Sequence, residues 1–328
     1  MTVRFRHALL LPLALLLTLF PVTSSIPAQA QDGERLRVVA TFSILGDVVR
    51  NVAGDAADLT VIVGPDGDAH TFEPDPDQIG ALADADLIFE NGAGFEPWLD
   101  DVYEASGASA TRVAVTDGLS LLAFGDAEHD EGHEDEDHAA DDGHDHGDHD
   151  PHAWHDVANV ITEVGTIRDA LAASDPANAA IYAANADAYI AQLQTLDADI
   201  RSLIGTIPAE DRILFTSHDS LAYFAHAYGF AIAGSAFGSI STEAADPSAG
   251  EIAALIDEIR AAGVPAIFAE NVENSDLMEQ IANDAGVELA ATLYTDALSA
   301  EDGPASTYIA LMTYNATTIV TALGGTAG

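Results

Sequence analysis

The chain contains no cysteine and no lysine, and all ten of its basic residues are arginine. Without cysteine there is no disulfide framework, no thiolate metal site and no thiol to carry a lipid. Fifty-five Asp and Glu residues give a net charge of −45, so no basic stretch could neutralise phosphates and nucleic acid is excluded as a partner. So much acid without lysine suggests a protein exposed to high salt, which screens charge repulsion.

Long apolar runs are also scarce, and the one that stands out lies near the N-terminus. Arg4 and Arg6 precede an apolar stretch from Ala8 to Phe20, and Ala28-Gln29-Ala30 follows as a small-x-small cleavage signal. The apolar stretch is too short for a comfortable membrane span. Residues 1–30 are therefore predicted to be a cleaved signal peptide, which implies a periplasmic or extracellular protein. With no cysteine to modify, we expect no lipid anchor.

What the sequence does have is a run of acids and histidines over residues 126–150. It holds thirteen Asp or Glu and six His, with only Gly and Ala between them. Such a composition cannot bury enough apolar surface to fold, so we expect a disordered loop. Imidazoles with surrounding carboxylates attract divalent metals, and the alternative is a solvated acidic linker. The predicted low-affinity metal ligands are His129, His133, His138, His144, His146 and His149.

Strand and helix patterns alternate on both sides of this run, which predicts an α/β fold with mostly parallel sheets flanked by helices. Residues 31–125 and 151–175 would form an N-terminal lobe, and residues 206–328 a C-terminal lobe. Between them, residues 176–205 contain no Gly or Pro after Pro176 until Gly205 and predict one long helix that joins the lobes. The predicted strands are 36–41, 59–63, 87–90, 113–116, 212–216, 230–235, 266–270 and 288–293.

Three metal-ligating side chains follow predicted strands in different halves of the chain, and these are His70, His218 and Asp296. The carboxyl ends of parallel strands face a common crevice, so such groups can meet although they are distant in sequence. His152 lies at the end of the histidine-rich run. Each residue alone is more often a hydrogen-bonding group or a helix cap than a ligand. Together they predict one site.

The chain resembles the zinc- and manganese-binding receptors of the bacterial metal ABC transporters, and specifically their zinc branch. The resemblance runs in family order along nearly the whole chain after residue 30. It rests on Val39-Ala40-Thr41-Phe42-Ser43-Ile44-Leu45-Gly46-Asp47, Ala69-His70-Thr71-Phe72-Glu73-Pro74, Asn91-Gly92 to Trp98-Leu99-Asp100, Asp150-Pro151-His152-Ala153-Trp154, Thr216-Ser217-His218-Asp219 with Tyr223-Phe224, and Thr295-Asp296.

The resemblance implies two α/β lobes bridged by a long helix, with the metal between them and a membrane permease as the partner. Carried over by position, the implied ligands are His70, His152, His218 and Asp296. Manganese receptors of this family carry glutamate in the third position, so imidazole at His218 favours tetrahedral Zn²⁺ over Mn²⁺. The chain departs from the family pattern at Ala69, usually proline or serine, and at His155, usually apolar.

His155 is a candidate additional ligand, although a half-exposed polar role is the preferred interpretation, and His226 is interpreted as structural. The leading functional hypothesis is a monomeric receptor that captures extracytoplasmic Zn²⁺ and delivers it to an ABC permease. The alternatives are a receptor for manganese or another divalent metal, and a metal buffer in which the histidine-rich loop does the binding. A secreted zinc hydrolase is disfavoured because no H-E-x-x-H motif occurs and four protein ligands leave no open position.

Overall fold

The computed structural model describes residues 35–123, 149–236, 247–272 and 275–326, together with Thr2. From Arg35 onward the chain forms one compact unit. The predicted signal peptide and most of the histidine-rich run lie outside the described residues. Among the residues that are described, no helix combines the length and apolar character that a membrane crossing needs.

The first half of the chain builds a four-stranded parallel sheet with the order β2-β1-β3-β4. The central strands β1 and β3 are apolar and buried, as expected where helices cover both faces of a parallel sheet. The strands are β1 (Leu36–Phe42), β2 (Ala57–Val63), β3 (Leu87–Glu90) and β4 (Thr111–Ala114). The helices of this half are α1 (Ser43–Ala53), α2 (Pro76–Asp84) and α3 (Leu99–Ser106).

The second half repeats the alternation with shorter parallel pairs. β5 (Ile213–Thr216) pairs with β6 (Ala231–Ser235), and β7 (Ala266–Ile267) pairs with β8 (Glu288–Leu289). The N–H of Phe268 donates to the carbonyl of Phe215 at 2.9 Å, which brings the two pairs side by side. The helices are α6 (Ala222–Tyr228), α7 (Ala249–Ala262), α8 (Ser275–Ala285) and α9 (Tyr308–Ala322). The predicted α/β class with parallel sheets flanked by helices is confirmed.

Two helices lie between the halves in sequence, α4 (Val157–Ser174) and α5 (Ala179–Ile204). The 26 residues of α5 span about 39 Å at 1.5 Å per residue. The helix begins at Ala179, three residues after Pro176, because residues 175–178 form a separate turn in which the N–H of Asn178 donates to the carbonyl of Asp175 at 3.2 Å. Helix α5 packs against α1, α4 and α9, so it contacts elements from both halves. The proposed lobe boundaries stay a prediction.

Hydrogen bonds also join the two halves directly. The N–H of Tyr308, at the start of α9, donates to the Asp47 carboxylate on α1 at 2.9 Å. The N–H of Leu298 donates to Ser43 Oγ at 2.9 Å. These bonds hold the loop between β8 and α9 against the first half of the chain.

Candidate metal centre

His70 lies in the loop that follows β2, and two hydrogen bonds fix the backbone around it. Its N–H donates to Asp68 Oδ1 at 2.9 Å, and the indole N–H of Trp98 donates to the carbonyl of Ala69 at 2.9 Å. Ala69 is completely buried. The indole of Trp98 thus holds this loop at Ala69, the position where the resemblance would lead us to expect proline or serine.

His152 is held by the residues that surround the Asp-Pro-His sequence. Asp150 Oδ1 accepts the N–H of His152 at 2.9 Å and lies 2.7 Å from its ring Nδ1. Tyr223 donates its hydroxyl to the carbonyl of Asp150 at 2.9 Å, and Asn91 donates its amide to the carbonyl of Pro151 at 2.9 Å. The ring is thereby oriented with Nε2 directed away from Asp150.

His218 follows β5 by two residues, as the sequence predicts, and a buried carboxylate lies behind it. Glu270 accepts the backbone N–H groups of Ser217 and His218 at 3.0 Å each. Its second oxygen lies 2.8 Å from Nδ1 of His218. Nε2 of His218 is therefore the ring nitrogen that faces the site.

Asp296 lies in the loop after β8, and a contact from the His152 segment anchors this loop. The indole N–H of Trp154 donates to the carbonyl of Thr295 at 2.8 Å. Because Trp154 follows His152 by two residues and Thr295 precedes Asp296, one hydrogen bond fixes the relative position of two predicted ligands from different halves.

The four predicted ligands meet at one point. Nε2 of His218 lies 3.2 Å from Asp296 Oδ2, and Nε2 of His70 lies 3.4 Å from the same oxygen. Nε2 of His152 lies 3.6 Å from Asp296 Oδ1 and 3.4 Å from Nε2 of His70. One donor atom from each residue lies within 4.8 Å of all the others. It is the one such cluster of metal-ligating groups found among the described residues.

These spacings fit a small divalent cation. A tetrahedral site with bonds of about 2.0 to 2.1 Å has ligand atoms separated by about 3.3 to 3.4 Å. Both oxygens of Asp296 are buried and have no hydrogen-bond partner among the described residues. A buried carboxylate needs compensation by a donor or a cation, and three imidazole nitrogens face this one. With both oxygens counted, the site offers four or five donor atoms.

Aromatic rings close the site against water. The ring of Phe95 packs edge-on against His70 at 4.6 Å between centroids and against His152 at 5.9 Å. Trp154 packs against His152 at 5.2 Å. Of the four predicted ligands, His70 is 5% exposed and the other three are fully buried. Exclusion of water strengthens each electrostatic contact inside the cluster.

Burial and neighbouring charges shift the pKa values of the side chains in the cluster. Burial alone would lower the pKa of His218, but the carboxylates of Glu270 and Asp296 outweigh it and raise that pKa well above its usual value. Burial likewise opposes ionisation of Asp296, yet His218 and His152 hold its pKa well below the usual range. At His70 burial dominates and lowers the pKa. The carboxylate is thus ionised at neutral pH, and cation binding requires His218 to lose a proton.

His155 lies in a 3₁₀ turn (Ala153–His155) rather than in an α-helix, so it is not one helical turn ahead of His152. It is completely buried, not half exposed, and neither ring nitrogen has a hydrogen-bond partner in the part of the chain that the structure describes. Burial, and then the neighbouring His152, lowers its pKa to about 4. It does not belong to the cluster of four.

Of the histidines predicted in the acidic run, the structure describes only His149. It is exposed, and its backbone bridges to Ala123. The remaining five, His129, His133, His138, His144 and His146, lie outside the described residues. His226 is exposed on α6 and away from the cluster.

Sequence reasoning missed the residues that hold the ligands in place. No role was assigned to Glu270, Asp150 or the indole of Trp154. The signal for Glu270 was present, since an acid that ends the apolar stretch Ala266–Glu270 must be buried with a partner. Asp150 and Trp154 frame the predicted ligand His152 in sequence, but spacing alone gives no hydrogen-bond partner.

The fold and the site together define a class of protein, an α/β protein with a buried cluster of side chains suited to a divalent metal ion. The chain belongs to the ZnuA family, described as "Zinc-uptake complex component A periplasmic", whose sequence profile matches residues 38–322. Its members are substrate-binding proteins of ABC transporters and not enzymes. This chain is accordingly a metal-binding component of an ABC importer.

Individual relatives differ in the metal that their names state. The chain is 38% identical over 296 residues to the manganese-binding lipoprotein MntA of Halalkalibacterium halodurans, with 90% of each chain covered. It is 31% identical to the iron-binding protein YfeA of Yersinia pestis, with 89% of this chain and 87% of the relative covered. Among solved structures, the periplasmic zinc-binding protein TroA from Treponema pallidum superposes with a TM-score of 0.77 at 29% identity, covering 89% of this chain and 99% of the other.

Proposed function

We propose that the protein is a high-affinity Zn²⁺ receptor and that His70, His152, His218 and Asp296 are the metal ligands. The observation that carries the proposal is the convergence of three imidazole Nε2 atoms and one carboxylate at spacings of 3.2 to 3.6 Å. Zinc accepts imidazole and carboxylate readily, and its tetrahedral bond lengths require separations of this size. The bound ion is cargo to be delivered and not a catalytic group.

Manganese is the second candidate, and two observations favour it. Asp296 directs both oxygens toward the imidazoles, which would give a five-donor site richer in oxygen than a zinc tetrahedron. The relative MntA, 38% identical, is named manganese-binding. Against manganese stands the set of three nitrogen ligands, because Mn²⁺ favours hard oxygen ligands and binds most N/O sites more weakly than Zn²⁺.

The partner in this proposal is the membrane permease of an ABC importer, and the receptor acts as an exported monomer. The histidine-rich run over residues 126–150 would be a collector with several weak sites. Its last residues lie beside the site, because Asp150 orients the ring of His152. Metal ions held by the run would therefore be concentrated next to the ligands, whereas the tight site would not depend on them.

A competition titration distinguishes zinc from manganese. Metal-stripped protein is titrated with Zn²⁺ in the presence of Mn²⁺, and the reverse, and Co²⁺ absorption reports whether the site is tetrahedral. We expect one tight zinc site, tetrahedral Co²⁺ and displacement of Mn²⁺ by Zn²⁺. Tighter binding of Mn²⁺, or octahedral Co²⁺, would refute the choice of zinc.

Two variants link that result to the ligands. His218→Glu introduces the third ligand of the manganese receptors, so it should lower the preference for Zn²⁺ over Mn²⁺. His226→Ala removes an exposed histidine only eight positions away and should leave both affinities unchanged. If His218→Glu did not alter the preference, His218 would not be a ligand.

A further inference from the structure

Glu270 is the buried carboxylate behind His218, and it is only 1% exposed. It lies past the end of β7, where its backbone bridges to Leu293 beside the loop that carries Asp296. Glu270 therefore contacts His218 through its side chain and, through its backbone, the residue Leu293 that precedes the loop carrying Asp296.

The described polar groups in close contact with the carboxylate oxygens are all able to donate a hydrogen bond. Oε1 accepts from the Ser217 and His218 N–H groups and from Ser217 Oγ at 2.9 Å. Oε2 accepts from Ser220 Oγ at 2.7 Å and lies 2.8 Å from Nδ1 of His218. Two acceptor atoms cannot approach to 2.8 Å without a proton between them. Because an ionised carboxylate only accepts, that proton belongs to Nδ1.

A proton held on Nδ1 leaves Nε2 as the only nitrogen of His218 that can offer a lone pair. Nε2 is the atom that lies 3.2 Å from Asp296 Oδ2 at the centre of the cluster. We propose that Glu270 is a positioning residue for metal binding: it fixes the tautomer of His218 so that Nε2 is the ligand atom. The inference rests on the proposed role of His218 as a ligand but not on which metal is bound.

The substitution Glu270→Gln tests the tautomer with little change in shape. The two backbone N–H groups at the Oε1 position require an acceptor, so the amide oxygen takes that place and the amide nitrogen falls where Oε2 was. That nitrogen would donate to Nδ1, and the proton of His218 would move to Nε2, which then cannot bind a cation. Loss of a hydrogen-bond partner of a metal ligand lowers metal affinity by roughly 10- to 100-fold. Because the wrong tautomer also blocks the ligand atom, we expect Glu270→Gln to lower the affinity by about 100-fold or more.

Ser220→Ala is the matched control. It removes a hydroxyl bonded to the same carboxylate oxygen but leaves the charge and the contact with Nδ1. Zinc and manganese titrations of both variants should show a large fall for Glu270→Gln and a much smaller one for Ser220→Ala. Equal falls would mean that Glu270 serves only to pack the loop and would overturn the inference. Circular dichroism of the metal-free variants identifies any failure to fold.

A measurement on the unsubstituted protein keeps the inference testable if Glu270→Gln does not fold. Nitrogen NMR of ¹⁵N-histidine-labelled, zinc-loaded protein should show a protonated Nδ1 and a metal-bound Nε2 for His218. A metal-bound Nδ1 would overturn the inference and leave the receptor function standing. Absence of any tight metal site would overturn the proposed function instead.

Discussion

Glu163 should make the stability of the metal-free protein depend on pH. This residue lies on the buried face of α4, is 3% exposed, and its Oε1 has no hydrogen-bond partner among the described residues. The hydroxyl of Tyr189, across the α4–α5 interface, is also buried and finds no hydrogen-bond partner within the described ranges. Burial without compensation raises the pKa of Glu163 from 4.5 to about 8, so the folded protein holds this side chain as a neutral acid at pH 7.

The sign follows from linkage. Because the folded-state pKa lies above the unfolded value, the unfolded chain releases the proton first as pH rises. Ionisation of Glu163 therefore does not affect the free energy of unfolding below about pH 4.5. Between about pH 4.5 and pH 8 it lowers that free energy by about 1.4 kcal/mol per pH unit. A shift from 4.5 to about 8 corresponds to a loss of about 3 kcal/mol at pH 7 and about 5 kcal/mol above pH 9.

The perturbation is Glu163→Gln, which keeps the shape and removes the ionisation. Denaturant unfolding of both proteins would be followed between pH 5 and 9, with a chelator present and salt held constant. The variant should become progressively more stable than the parent as pH rises, with a difference that grows by about 1.4 kcal/mol per unit. Glu279→Gln, at an exposed position on α8, controls for the loss of one charge. If the free energy of unfolding depended on pH in the same way for Glu163→Gln and its parent, the reasoning would be refuted.

Three further predictions concern other features. Deleting residues 128–149 should leave one tight zinc site and abolish the weak ones, as counted by calorimetry. The cut can be closed because the N–H of Asp150, which is retained, donates to the carbonyl of Leu122 at 2.9 Å. Loss of the tight site would contradict the assignment of the ligands. The melting temperature should rise with molar salt, because a net charge of −45 repels itself less when screened; indifference to salt would count against this. His155→Phe should leave zinc affinity nearly unchanged and reduce the loss of stability on acidification from pH 6.5 to 4, since burial lowers the pKa of His155 to about 4; a large loss of zinc affinity would make His155 a ligand.

The spacing of apolar residues predicted most of the fold, because buried strands and amphipathic helices each have a characteristic pattern in the local sequence. The strand at residues 87–90 has the predicted bounds. The strands predicted at 266–270 and 288–293 shrink to two paired residues each. Beyond Ile267 the chain leaves the ladder, since Phe268 donates to Phe215 and only Glu270 pairs again, with Leu293. An apolar run shows that a segment is buried but does not show how long it stays in register.

The convergence of the four predicted ligands could be predicted because strand ends converge, whereas the groups that orient these side chains could not. His70, His218 and Asp296 follow strands, and parallel topology brings those ends together. The partner of His218 is Glu270, 52 residues away, and the partner of Thr295 is Trp154, 141 residues away. No spacing rule relates such pairs, because they depend on how the two halves pack. The preferred interpretation of His155 as half exposed was wrong, since its 3₁₀ turn buries the ring completely.

In the proposed receptor, the enclosure of the four predicted ligands would set the rate at which a bound metal ion can leave. With three of these side chains fully enclosed and the fourth only 5% exposed, an ion cannot exchange one protein ligand at a time for water. The residence time of the ion would therefore depend mainly on how often the site opens, and only secondarily on the strength of each coordinate bond. Two metals of unequal affinity could consequently dissociate at similar rates. A partner that opens the site would increase both dissociation rates.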